Sequence, residues 1–177
     1  MKTVLRIFGV ITVIIALAFG SLSVKRSLDD KQDAQQAVAQ MADAQKQLDA
    51  FKEMSKSMTG ESKTQIDQQI TDAQAKLDNV PSPGAYSGVI GLLLALMALA
   101  IIFGVLLFKT NLGLTTKLCL AAVGVMLSCY FLAPDLERGL YGGMKTPTLA
   151  LMTGIPVIIA GLFAFFVAKR KMAEFVK

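Results

Sequence analysis

Histidine and tryptophan are absent from these 177 residues. Without an imidazole the chain lacks the commonest metal ligand and the usual charge switch near neutral pH. Cysteine is scarce. Cys119 and Cys129 stand ten positions apart in one apolar stretch, about 15 Å along a helix, too far for a disulfide with each other. They read as small packing residues. No phosphate-binding loop, nucleophile motif, metal cluster or cofactor signature occurs, so neither an enzyme nor a cofactor is expected. The formal charge of +5 comes without a basic patch interleaved with aromatics, which argues against a nucleic-acid partner.

Charge is also missing along four long stretches, and this absence sets the class. Val89–Phe108 is 20 consecutive residues without a charged or polar side chain, the length a helix needs to cross hydrocarbon. Ile7–Val24 is interrupted only by Thr12, Ser21 and Ser23. Leu118–Ala133 is shorter, and reaches span length by starting near Leu112 with Lys117 extending its ammonium to the interface. Leu149–Ala168 follows Pro147, which suits the first turn of a helix. The expectation is an all-α integral membrane protein with four transmembrane helices. Lys2 and Arg6 before an apolar run, with Ala18-Phe19-Gly20 beyond, also describe a secretory signal. The length of the run favours an uncleaved anchor.

Orientation follows from the basic residues. Four spans put both termini and the Lys109–Lys117 loop on one side, with Lys2, Arg6, Lys109, Lys117, Lys169, Arg170, Lys171 and Lys177. That side reads as cytoplasmic. Tyr86, Tyr130 and Tyr141 fall at the opposite face, where tyrosine suits the headgroup boundary. The outer segment carries no cysteine and no N-x-[ST] sequon, which fits a bacterial inner membrane with residues 25–85 in the periplasm.

The segment between the first two spans has its own pattern. Ala34, Ala37, Met41, Ala44, Leu48, Phe51 and Met58 fit successive a and d positions, with Ser55 as the polar interruption. After Gly60, the residues Ile66, Ile70, Ala73 and Leu77 repeat the step. Two heptad helices joined at Thr59-Gly60-Glu61 predict an antiparallel coiled-coil hairpin, with Ala44, Ile66, Ile70, Ala73 and Leu77 in its core. Gly60 supplies the left-handed turn, and Ser62 with Gln65 makes a capping box. The first span can run outward as one helix from Val4 to Met58, about 80 Å with roughly 50 Å beyond the bilayer. A return helix of about 27 Å and an extended Val80–Ala85 stretch of about 20 Å then close the loop. The organisation is a first span over 1–24, an outer hairpin over 25–80, a Pro linker over 81–85, and a three-span region over 86–177 with a short basic tail.

Candidate partner contacts are Met41, Leu48, Phe51, Met54 and Met58 toward the hairpin tip, because unbranched methionine suits adaptable surfaces. The alternative is a solvated spacer. The short outer loop adds Asp135, Glu137, Arg138 and Tyr141 as a docking surface rather than a catalytic pair. Small residues four apart (Ala16/Gly20, Gly91/Ala95, Ala100/Gly104, Gly124/Ser128, Ala160/Ala164) permit close helix packing. Pro156 is expected to kink the fourth span, with Thr153 meeting the freed carbonyl. The expected partners are the lipid bilayer and other membrane protein subunits, as a hetero-complex or a homo-oligomer. The function expected is a non-enzymatic interaction or accessory subunit that presents its hairpin outside. The alternatives are a component of a transport system or channel, motivated by the glycine-rich spans and Pro156, and a membrane signal transducer.

Overall fold

Proline does not occur before Pro81, so no proline interrupts a helical backbone in the first part of the chain. The structure, a computed structural model, describes residues 2–57, 59–78, 81–134 and 145–175. Among them every element is helical: α1 (Lys2–Lys56), α2 (Glu61–Asp78), α3 (Pro83–Leu106), α4 (Leu112–Leu132) and α5 (Thr146–Phe175). Four of these, all but α2, are long and apolar enough to cross a membrane. The candidate loop residues Asp135, Glu137, Arg138 and Tyr141, and Met58, lie outside the described residues.

Local chemistry sets the boundaries. α1 is one helix of 55 residues, about 82 Å long. Past its end, Gly60 takes a φ of +77°, the only positive φ among the described residues. α2 starts at Glu61 rather than after Ser62, and the Lys63 amide donates to the Gly60 carbonyl. The expected Ser62–Gln65 box is therefore not the cap. Glycine is accepted at that position, and Glu61 suits the positive end of the helix. Ser82 caps α3 and Pro83 opens it. The extended stretch expected over 81–85 is thus shorter, because proline is preorganised for a first helical turn. Asn111 caps α4 by accepting from the Leu114 amide at 3.1 Å, which gives that helix the early start it needs.

α3 and α5 each contact α1, α4 and one another, whereas α1 and α4 lie apart on opposite sides. A core of Val13, Ala16, Leu96, Phe103, Ala122, Val157, Ala160 and Ala164 draws on all four. A second cluster joins Val89, Leu93, Cys129 and Ala150, with Val24 against it. At one end Arg6 Nε donates to the Leu107 carbonyl at 3.0 Å, so the chain start sits beside the end of α3. α2 touches only α1. Lys52 Nζ donates to Gln74 at 3.2 Å, and the Ser55 hydroxyl donates to Asp67. We call α2 and the portion of α1 beyond Asp30 the arm.

Glycines set how closely the bundle packs. A Cβ on Gly161 would stand 2.8 Å from Cys119 Sγ and 2.9 Å from Phe103 Cζ, whereas around Gly124 nothing lies within 4 Å. Gly161→Ala should cost about 1–3 kcal/mol through overpacking. Gly124→Ala should be neutral or stabilising by up to about 1 kcal/mol, from helix propensity alone. Reversible unfolding in mixed detergent micelles measures both, and equal effects would contradict the packing.

Candidate functional site

The buried face of α1 keeps one register. Gly9, Val13, Ala16, Gly20, Ser23, Ser27, Asp30 and Ala34 are all buried, in alternating steps of four and three. The same steps lead on to Ala37, Met41, Ala44, Leu48, Phe51 and Ser55. The seam visible in the sequence from Ala34 onward therefore begins inside the apolar stretch. It went unseen there because its glycine, alanine and serine members do not stand out from a run that is apolar all round.

Polar side chains concentrate where α1 meets α5. Thr153 Oγ1 donates to Ser23 Oγ at 2.9 Å, and Ser23 Oγ donates to the Leu149 carbonyl at 3.3 Å. Two turns further out, Thr146 Oγ1 donates to Asp30 Oδ2 at 3.1 Å. Asp30 is 3% exposed, with the Arg26 guanidinium 3.6 Å from its other oxygen. Its carboxylate meets the first residue of α5, where unpaired amides leave partial positive charge. Ser27 Oγ, wholly buried on the same face, makes no hydrogen bond among the described residues. Sequence reasoning missed this group by assigning Asp30 to the outer segment. The signal available was the i, i+4, i+7 spacing of Ser23, Ser27 and Asp30.

Two expectations change here. Thr153 bonds across to Ser23 instead of turning to the carbonyl that Pro156 frees within α5. Tyr86 is fully buried rather than set in a headgroup belt, because α3 begins early enough to draw it into the bundle. Tyr130 remains 39% exposed.

In the arm, Ile66, Ile70, Ala73 and Leu77 are half-buried along α2, and Ala44 is half-buried on α1. Ser55, the polar interruption, is buried and bonded to Asp67. Of the candidate contacts, Leu48 is buried, which makes it a core residue of the arm. Met41 is half-buried, while Phe51 and Met54 are exposed. A groove of about 440 Å³ opens between the helices, lined by Ala37, Ala44, Gln47 and Phe51 of α1 and by Ala73 and Leu77 of α2.

Set against family models, curated proteins and solved structures, the chain finds no match. The functional reading therefore rests on geometry.

The α1–α5 contact makes a quantitative prediction. In a double-mutant cycle, Ser23→Ala and Thr153→Val should couple by about 0.5–1.5 kcal/mol, the range for hydroxyl pairs between membrane helices. Asp30→Leu should cost about 1–3 kcal/mol by stranding the Thr146 hydroxyl. Additive single mutants, measured by the same unfolding assay, would place the hydroxyls elsewhere.

Proposed function

We propose that the chain is an integral membrane protein of four spans and a non-enzymatic interaction subunit, which presents α2 and the outer part of α1 as a coiled-coil hairpin to a partner outside the membrane. The observation carrying the membrane reading is an inverted surface. Ile14 is 61%, Leu22 62%, Leu120 71% and Phe131 77% exposed, while Ser23, Ser27, Thr115 and Thr153 point inward and are buried. Water would penalise that arrangement, whereas hydrocarbon demands it. Ser21 and Thr12, which do face outward, return their hydroxyls to the Leu17 and Phe8 carbonyls at 2.8 Å, as a lipid-facing hydroxyl must. The amino terminus, the α3–α4 turn and the basic Lys169–Lys171 segment lie at the end we assign to the cytoplasm, by the excess of lysine and arginine there.

The interaction reading is supported by the arm itself. It extends about 39 Å beyond Asp30, and it exposes Phe51 and Met54 beside an apolar groove. A spacer needs neither. Within the arm α2 packs against α1 alone, so the contacts among α3, α4 and α5 do not involve it.

Two measurements test the proposal. In intact cells, a membrane-impermeant maleimide should label Ser62→Cys, and should reach Lys171→Cys only after permeabilisation; the reverse pattern refutes the orientation. Affinity-tagged protein from native membranes should recover a defined companion. Replacing 35–79 by a short Gly/Ser linker should abolish that recovery while the bundle still inserts. A bare monomer, with no phenotype on deletion, would refute the interaction role.

A further inference from the structure

A second seam runs along the arm, sharing Ala37, Ala44 and Phe51 with the one that faces α2 and diverging from it at Gln40, Gln47 and Met54. Ala37, Gln40, Ala44, Gln47, Phe51 and Met54 follow one another in steps of three and four, the spacing of a and d positions in a parallel coiled coil. The first five line the groove, and Gln40, Gln47, Phe51 and Met54 are exposed. None carries a charge. The charges of this stretch are placed elsewhere and paired along the helix, as in Lys46 with Asp43 at 3.7 Å and Lys56 with Glu53 at 2.6 Å. Toward the membrane the same steps reach Asp33 and Asp30, and Asp30 is already engaged by α5. The uncharged seam thus begins where the bundle ends.

We propose that two copies of the chain pair through this seam, α1 against α1 and parallel, over Ala37 to Met54. This rests on the reading of the arm as an interaction element, and it names the partner as a second copy. Chains anchored in one bilayer with one orientation present their arms at the same height, and a two-fold axis along the membrane normal sets each residue near its own counterpart. Such an interface excludes charge, because every charged residue would meet its like. It favours glutamine, whose amide both donates and accepts and so bonds to its own copy. Gln40 and Gln47 occupy the two d positions nearest the membrane. Alanine at 37 and 44 lets the helices approach closely. Phe51 and Met54 supply apolar area toward the tip, against the groove of the opposite arm. The buried pairing stops at Ala37, so the membrane bundles are free to diverge below, where Asp33 and Asp30 would otherwise confront their copies.

Cysteine crosslinking of the full-length protein in its native membrane tests this. Gln40→Cys and Gln47→Cys sit on the seam, and Lys46→Cys and Glu53→Cys sit on the opposite face. The unmodified chain, whose two cysteines lie within α4, gives the background. On mild oxidation the seam variants should form covalent dimer at least tenfold faster than the opposite-face variants. Ala44→Glu, added to Gln47→Cys, should cut that rate at least tenfold by setting two carboxylates face to face, whereas Ala44→Gln should preserve it. Far-ultraviolet circular dichroism should show the same helicity for both; if Ala44→Glu loses helicity, Gln40→Glu in the same background replaces it. Equal rates on both faces, no dimer from positions 40 and 47, or indifference to the introduced charge would overturn the pairing. A different protein recovered on the arm without self-crosslinking sinks this proposal and leaves the interaction role standing. Neither self-crosslinking nor a companion sinks both.

Discussion

Everything in this molecule is referred to the face of α1. A single helix supplies the wall of the bundle and the shaft of the arm, so its small residues must serve two environments in one register. In the lower half the seam is Gly9, Ala16, Gly20 and Ser23, which lets α3 and α5 approach until Met97 and Leu107 lie where a Cβ would otherwise stand. In the upper half it is Ala37, Ala44, Leu48 and Ser55, facing α2 and the groove. If the bundle lies in lipid, as proposed, no hydrophobic drive associates its helices, and close approach with hydroxyl bonds holds the seam below Asp30. On the same reading, water restores that drive above Asp30, and Leu48 joins the alanines in the seam.

Much of this was legible in the sequence, and the reasons differ from element to element. Run length alone gave the four apolar helices, since 20 residues without charge admit few alternatives. The early start of α4 at Leu112 followed from the same length requirement, and Asn111 turned out to supply the cap. The left-handed φ at Gly60 was readable because glycine adopts that conformation at least cost. Other features depended on tertiary partners. Ser23, Ser27 and Asp30 are polar residues at heptad spacing, and their meaning appears only when Thr146 and Thr153 arrive from more than a hundred positions away. Tyr86 looked interfacial by its place in the chain. Its burial depends on which way the first turn of α3 faces. Leu48 looked like a tip contact because the hydrophobic pattern cannot distinguish the covered edge of a seam from the open one.

Chain arithmetic also explains why the arm has its length. Val24 packs near Val89, which puts the start of α3 about level with Asp30 when both helices rise 1.5 Å per residue. From there α1 climbs roughly 39 Å to Lys56. α2 returns about 27 Å, and the four residues 79–82 can reach at most about 14 Å. The two paths match. A longer α2 would overrun the start of α3, and a shorter one would strain the connection. The early start of α3 at Pro83 makes the shorter linker sufficient, since the arm departs from Asp30 and not from the end of the apolar run at Val24.

Asp30 stands where the arm leaves the bundle. Burying a carboxylate is costly unless its oxygens are engaged. Here one oxygen accepts from Thr146, the other faces Arg26, and both lie at the amino end of α5. Arg26 belongs to α1 and keeps its place whatever α5 does, so the register depends on the Thr146 hydroxyl and the helix end together. Sliding α5 by one heptad on α1 would set Thr146 against Ser23, leaving the carboxylate without its hydroxyl, or against Ala37, where Thr153 would offer a hydroxyl but the helix end would be lost. An apolar residue at position 30 would tolerate such a slip, because the small-residue seam repeats almost identically every seven positions. A buried charge that is satisfied in only one alignment is a means of fixing register, the best-attested use of buried polar groups in helical interfaces. By fixing α5 on α1 at the point where the arm leaves the bundle, Asp30 also fixes the height and rotation at which the groove and its uncharged neighbours are presented to whatever meets them.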